Sequence, residues 1–281
     1  MATGRRRAVS RGRIVAQGML RTGTPVEYHK DLHLWVKRED LSCLKPGPPF
    51  SKTRGVYSHL DKLKDFSTIG VLDTYHSQAG HAVARACEIL GKACINFYPN
   101  YKHEPGPREP QRRAEALGAV LHPLPAGRSA VLFHQARKTV TQIKGGYMMP
   151  NALKLHESVV ETAKEVPDEV FDEVIIPVSS GTIAAGVIRG FHEKGHCSPR
   201  FTLHLGYSRS HEQVIRYVQQ MSGVDDFKYR LVDENYAYRD KAKPGPTPPW
   251  PCNDYYDLKA FRWLSGIDYD LRKKTLFWNI G

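Results

Sequence analysis

One lysine and two loops of small residues hold the chemistry this sequence could do. Lys52 stands in "PPFSKTRGVYSHL" (48–60), behind a turn of Pro46, Gly47, Pro48 and Pro49 and at the mouth of a basic, half-apolar helical run. A lysine that only adds solubility can sit anywhere on a wet face, whereas one whose amine must form a covalent bond has to be held still. The second feature is "PVSSGTIAAGV" (177–187), where Ser179, Ser180, Gly181 and Thr182 lie between an apolar strand and a helix start. Backbone N–H groups, hydroxyls and the helix dipole at such a place suit a phosphate. The loop lacks the Lys-Ser/Thr ending of a nucleotide P-loop, and GxGxxG is absent, so it points to a phosphate without a nucleotide. The plainer reading is a tight turn with an N-cap serine. The third feature is "TYHSQAGHAVARA" (74–86), in which Ser77 and Gln78 can hydrogen-bond and Gly80 permits close backbone approach. A lysine nucleophile, a phosphate cradle and polar loops at strand ends together suggest a pyridoxal phosphate enzyme.

These residues need a scaffold, and the pattern supplies one. Strands are expected at 32–40, 68–75, 93–99, 119–124, 173–179 and 200–208, with helices at 53–66, 79–91, 109–118, 129–143, 152–166, 182–195 and 211–221. Alternation of this kind implies parallel sheets wrapped by helices, with ligands at the strands' carboxyl ends. The regularity breaks at "DKAKPGPTPPWPCND" (240–254), where Pro244, Pro246, Pro248, Pro249 and Pro251 exclude a regular helix or central strand. That stretch reads either as a surface connection or as a lid or binding loop. A last helix from Asp257 and a strand at "KTLFWNI" close the chain.

The totals bound the rest. The 281 residues suffice for one large or two modest domains, and 41% hydrophobic with 25% charged is an ordinary globular composition. No apolar stretch approaches the roughly 18 residues a membrane span needs, and no apolar segment follows the basic N-terminus, which argues against a secretory signal. Cys43, Cys87, Cys94, Cys197 and Cys252 are scattered, without a CxxC pair, which argues for reduced thiols in a cytoplasm-like compartment. No His/Cys cluster has ligand spacing, so no metal is expected. Net charge is +12, and Arg5, Arg6, Arg7, Arg11 and Arg13 crowd residues 5–13. Such an arm is either a solvated tail or a contact to nucleic acid, giving affinity without sequence choice.

The segments "VKREDL" (36–41) with "FSKTRG" (50–55), the Ser-Gln-Ala-Gly loop and "SSGTIAAGVIRGF" (179–191) resemble, in order, the fold-type-II pyridoxal phosphate enzymes. That group includes the tryptophan synthase β chain, threonine dehydratase and cysteine synthase. The resemblance implies an α/β fold of two open, twisted, mostly parallel sheets flanked by helices. It also implies a large cofactor domain over 15–58 and 165–281 and a small domain over 59–164, behind the basic arm over 1–14 that the charge pattern marks. Lys52 is then the Schiff-base lysine, and Ser179, Ser180, Gly181 and Thr182 hold the phosphate of pyridoxal 5'-phosphate. Within the group the C-terminal third is most similar to the aminocyclopropanecarboxylate deaminase and D-cysteine desulfhydrase branch. "NDYYDLKA" (253–260) implies Tyr256 as the catalytic tyrosine and Asp257 as the carboxylate facing the pyridine nitrogen. "ENYAY" (234–238) implies Tyr236 as a second active-site tyrosine, and Ser77 matches the serine that meets the substrate carboxylate. Gln78 stands where the branch carries an asparagine near the ring hydroxyl, and Asn279 and Ile280 replace its closing His-Thr pair.

On these grounds the leading expectation is a lyase or deaminase acting at the α-carbon of a free amino acid, as a homodimer. An alternative is an enzyme of the same fold that modifies, for example decarboxylates, an amino-acid group attached to nucleic acid. A second alternative is a non-catalytic binding protein of this fold. A carboxylate at the pyridine nitrogen favours demanding carbanion chemistry over simple β-elimination.

Overall fold

The structure is a computed structural model that describes residues 19–195 and 199–281. The arginines of residues 5–13 and Cys197 therefore lie outside the described residues.

Two sheets organise the chain. A six-stranded sheet has the order β1-β2-β10-β7-β8-β9, with β1 Val26–His29, β2 Leu34–Arg38, β7 Glu173–Val178, β8 Arg200–Leu205, β9 Tyr229–Val232 and β10 Thr275–Asn279. Only β1 runs antiparallel, in a hairpin with β2, and the other pairs are parallel. A four-stranded, all-parallel sheet has the order β5-β4-β3-β6, from β3 Thr68–Leu72, β4 Ala93–Asn100, β5 Val120–Pro125 and β6 Gly146–Met148. The strands of the smaller sheet all fall between residues 68 and 148, and those of the larger sheet fall on either side.

The helices are α1 Thr53–Lys62, α2 Ala79–Leu90, α3 Glu109–Ala116, α4 Ser129–Thr141, α5 His156–Ala163, α6 Thr182–Glu193, α7 His211–Ser222 and α8 Asp257–Ser265. Parallel strands buried on both faces read as continuous apolar runs. Thus β7 "EVIIPV" packs Val174, Ile176 and Val178 on α5 and α6, while Ile175 joins Val36, Phe261 and Phe277 on the other face. A separate cluster around Ile69, Val71 and Val83 fixes α1 and α2 on the small sheet.

Strands β1, β6 and β9, of three or four residues, carry too little period-2 pattern to stand out in the sequence. The helix expected over 152–166 begins instead at His156, because Ala152 and Leu153 take left-handed backbones, φ +57° and +48°. The proline segment is no free loop. Trp250 is buried against Phe261 and Phe277, and Arg262 donates to the carbonyls of Ala242, Lys243 and Pro246. It straps onto α8 and β10 and so delivers residues 253–257 to the sheet's carboxyl edge.

Register decides which loops meet. Val178 pairs with Leu205, so the loops that follow β7 and β8 leave the sheet side by side. The Ser51 N–H donates to the Ile280 carbonyl at 3.1 Å, which ties the Lys52 turn to the end of β10.

Candidate active site

These loops enclose a cavity of about 450 Å³ whose wall includes Lys52, Ser77, Gln78, Ser179, Ser180, Gly181 and Tyr256. Lys52 sits at the N-cap of α1 and is buried. Its Nζ donates to the Ala152 carbonyl at 2.9 Å and to Ser180 Oγ at 2.9 Å. Burial, helped by the charge of Lys154, pushes its ammonium down to about 7, so the nucleophilic neutral amine is abundant near neutrality.

The Ser179–Thr182 loop turns on Gly181, whose φ of +93° is open to glycine at little cost. Ser179, Ser180 and Gly181 line the cavity. Thr182 stands behind them, its hydroxyl 3.0 Å from both Ser180 Oγ and the Tyr217 hydroxyl. Two cations bring charge to this loop. Arg209 Nη1 donates to the Ser179 carbonyl at 2.6 Å and to the Tyr207 hydroxyl at 3.1 Å, and Lys154 lies 4.6 Å from the Tyr217 ring centroid. Both line the cavity.

Across from them, Ser77 Oγ accepts from the Ala79 N–H at 3.0 Å, and Gln78 caps α2 with a buried Oε1 that has no hydrogen-bond partner among the described residues. A side chain at Gly80 would strike Asn96 and Asp73, so only glycine lets α2 approach β3 and β4 this closely. Gln111 Nε2 holds Asp73 Oδ2 at 2.9 Å beneath this loop, and burial pushes the Asp73 carboxyl up to about 6.

Asp257 is fully buried at the first turn of α8. Its Oδ1 accepts from the Ile280 N–H at 2.7 Å, while Oδ2 is without a hydrogen-bond partner among the described residues. Burial pushes its carboxyl up to about 7. Its neighbours Tyr256 and Ile280 line the cavity, but Asp257 stands one layer back.

The two expected tyrosines part company. The Tyr256 hydroxyl is 2.9 Å from His76 Nε2, and burial holds its phenol well above the usual range. Tyr236 does not line the cavity. Its hydroxyl accepts from the Lys243 N–H at 3.3 Å, and its ring lies 4.2 Å from Lys259 Nζ. Tyr238, two residues on, lines the cavity instead and shares a 2.6 Å hydrogen bond with Thr74 Oγ1. Of the two, Tyr238 lines the cavity and Tyr236 faces Lys259 of α8, after a left-handed backbone at Asn235, φ +60°.

Sequence reasoning also missed His76, Tyr207 and Arg209. His76 stacks on Tyr255 with ring centroids 3.8 Å apart and planes 3° apart. Burial, with Lys259 nearby, pushes its imidazole down to about 3, so it is neutral at ordinary pH. The signal was available, since His76 adjoins Ser77 and "GYSRS" follows β8 at a strand's carboxyl end, the same location rule that singled out the other loops.

A family model described as pyridoxal-phosphate dependent enzyme matches residues 19–204. A glycyl-dTMP PLP-dependent decarboxylase of Pseudomonas phage M6 is 43% identical, over 94% of this chain and 100% of that protein. Among solved structures, an ACC deaminase homologue superposes with a TM-score of 0.75 at 18% identity, covering 94% of this chain and 90% of that one. The Escherichia coli diaminopropionate ammonia lyase superposes with a TM-score of 0.65 at 13% identity, covering 92% and 83%.

Proposed function

Because the chain belongs to the pyridoxal-phosphate dependent enzyme family, we propose that it removes carbon dioxide from an amino-acid group carried on a thymidine nucleotide. The observation that carries this reading is the full-length similarity, 43% over 94% of the chain, to a glycyl-dTMP decarboxylase. The lyase or deaminase reading for a free amino acid, which the motifs put first, has support only from fold likeness at 18% identity or less.

The cavity supports holding the cofactor by the residues described. Ser179, Ser180 and Gly181 at the start of α6, with Lys154 and Arg209, offer donors and charge for a phosphate. Among the described residues Gln78 Oε1 and, one layer behind Tyr256 and Ile280, Asp257 Oδ2 are buried acceptors lacking partners, which a ring hydroxyl and a ring N–H would complete. When bound, pyridoxal phosphate supplies an aldehyde that captures an amine and a conjugated ring that takes up the electron pair left at the α-carbon.

The chain's own groups do the rest. Lys52, poised near neutrality, would give up the aldehyde to the incoming amine and could take that amine's proton at Nζ. Asp257 as a carboxylate keeps a pyridine nitrogen protonated and so deepens the electron sink that loss of carbon dioxide needs. The carbon–carboxylate bond breaks, carbon dioxide leaves, and a proton takes its place on the same carbon. Tyr256 Oη is the group we assign to deliver it. His76 Nδ1 has no partner among the described residues, so it is better left as a lone pair; Nε2–H then donates to Tyr256 Oη, and the phenol proton is free to point into the cavity. This chemistry needs an amine and a carboxylate free on one carbon, so attachment to the nucleotide runs through that carbon's remaining valence.

The test is direct. Purified protein with cofactor is mixed with an oligodeoxynucleotide bearing a glycyl-modified thymidine, and the product is weighed by mass spectrometry. Loss of one carbon dioxide, leaving a primary amine, is expected. An inert oligonucleotide together with ammonia release from a free amino acid would restore the deaminase reading.

A further inference from the structure

The cavity opens onto a wall of which the reading above uses only Arg209 and His76. From Arg209 outward, Tyr207 meets Tyr238 edge to face at 5.1 Å, and Tyr238 lies 4.6 Å from His76. The next residue in each chain segment, Arg239 and Tyr75, continues the wall to the surface. There the Arg239 guanidinium packs 4.7 Å from the Tyr75 ring centroid and 4.2 Å from that of Tyr101, and Arg108 covers Tyr75 from 4.5 Å. The two rings meet edge on at 6.0 Å. Arg239 is exposed, and Tyr75, Tyr101 and Arg108 are partly so.

The acidic groups nearby do not cancel this platform. Glu104 is engaged by Arg108 at 2.6 Å and by the Tyr75 hydroxyl at 3.1 Å, and Asp254 by Lys241 at 3.0 Å. Glu104 offsets part of the charge of Arg108 and lies within Coulombic reach of Arg239. Arg239, however, is held by rings and makes no salt bridge among the described residues, so the platform keeps a net positive charge for an anion. Alternating planar cations and aromatic rings are what a flexible polynucleotide strand uses: bases stack on the rings while phosphates track the cations. A mononucleotide taken wholly into the cavity would have no use for charge placed beyond its mouth. Access to a buried Lys52 also requires one nucleoside unstacked from its neighbours, which a single strand offers at least cost.

We infer that Tyr75, Tyr101, Arg108 and Arg239 form a platform that binds single-stranded DNA beside the cavity mouth, so that the substrate nucleotide enters as part of a strand. This deepens the decarboxylase reading and rests on it. The platform is built without the arginines of residues 5–13, which lie outside the described residues.

The experiment measures fluorescence anisotropy of a labelled, unmodified single-stranded oligodeoxynucleotide with the full-length, cofactor-loaded protein. Wild type is compared with Arg239→Ala, Tyr101→Ala and the Arg108→Ala/Arg239→Ala pair, and with a chain lacking residues 1–13. Cofactor absorbance and melting temperature report that each variant is folded. Each platform substitution is expected to weaken binding about tenfold. The double arginine variant should also flatten the slope of log K against log salt by about 0.7 per cation lost. Arg239→Lys, which keeps the charge and loses the plane, should recover the slope but only part of the affinity. Unchanged affinity in all platform variants overturns the platform, as does competition by free thymidine monophosphate equal to that of the strand. Carbon dioxide release from the glycyl-modified oligonucleotide is followed on the same preparations. A wild type that releases it while the platform variants bind normally keeps the decarboxylase and sinks the platform. A wild type that binds through the platform yet releases none does the reverse.

Discussion

Lys52 Nζ lies 2.9 Å from the carbonyl oxygen of Ala152, and Ala152 takes a left-handed backbone, φ +57° and ψ +20°, to present it. A non-glycine residue pays about 1–2 kcal/mol for that conformation. Ala152→Gly should therefore leave stability within about 0.5 kcal/mol of wild type, since relief of strain offsets the extra freedom of the unfolded chain. Ala152→Val, with a β-branched side chain at positive φ, should cost about 1–2 kcal/mol more. Denaturant midpoints read both, and a valine variant as stable as wild type would remove the strain argument.

Lys52 also predicts a pH dependence. Its ammonium is pushed down to about 7 in the folded protein, while an unfolded lysine keeps its proton to about 10.4. Between those values the unfolded chain binds more protons, so stability of the cofactor-free protein rises with pH across that window. Lys52→Met should lose the rise. Melting temperatures from pH 7 to 10 check this, and an undiminished slope in the variant would assign the rise elsewhere.

Asp257 gives the opposite slope lower down. Its carboxyl is pushed up to about 7 by burial, against about 3.9 unfolded. The folded protein then binds more protons in that window, and cofactor-free stability falls as pH rises through it. Asp257→Asn should flatten that fall. With cofactor present, the same variant should keep its visible absorbance yet slow carbon dioxide release by about 10²-fold or more. Normal turnover would mean that the carboxylate does not serve the ring nitrogen.

The Tyr256–His76 pair, 2.9 Å apart, is expected to deliver the proton to carbon. Tyr256→Phe should lower turnover by about 10²- to 10⁴-fold, as loss of a general acid does, with cofactor absorbance retained. Because burial pushes His76 down to about 3, no break in the pH–rate profile should belong to its imidazole, and any break near about 7 from Lys52 or Asp257 should persist in His76→Gln. A break near about 6.5 that vanishes in His76→Gln would show instead that the imidazole titrates in the working enzyme.

A buried ion cluster anchors α1. Glu165 accepts from Lys37 at 3.1 Å and faces Arg54 at 3.7 Å, with the Gly23 and Thr24 N–H groups on its two oxygens. Lys37 and Glu165 side chains are 3% and 2% exposed. Glu165→Ala leaves the buried Lys37 without a carboxylate, while Arg54 keeps its pair with Glu39, and should cost about 3–5 kcal/mol. Chemical denaturation measures it, and a loss under about 1 kcal/mol would mean that water reaches the cluster.

Much of this was legible locally. The alternation of apolar strands and amphipathic helices set the α/β class, and nearly every long element falls within a few residues of its expected span. Small residues between strand and helix marked the Ser179–Gly181 loop, because phosphate-binding turns are made by short-range backbone geometry. The order of motifs implied the cofactor. What resisted reading was short or irregular: three brief strands, and a helix start delayed by two left-handed residues whose hydrogen-bond partner, the Lys52 amine, lies 100 residues away in sequence.

The sequence by itself determined the long elements and the family and singled out Lys52, since each is written in residues close together along the chain. The tertiary structure alone decided which tyrosine enters the cavity. Tyr236 and Tyr238 are separated by one residue and are chemically alike, and only the turn at Asn235 and the packing of Lys259 choose between them. It likewise decided that His76 meets Tyr256 across 180 residues, and that Arg239 meets Tyr75 and Tyr101. Pairings at such separations depend on strand register and loop packing, which no local pattern records.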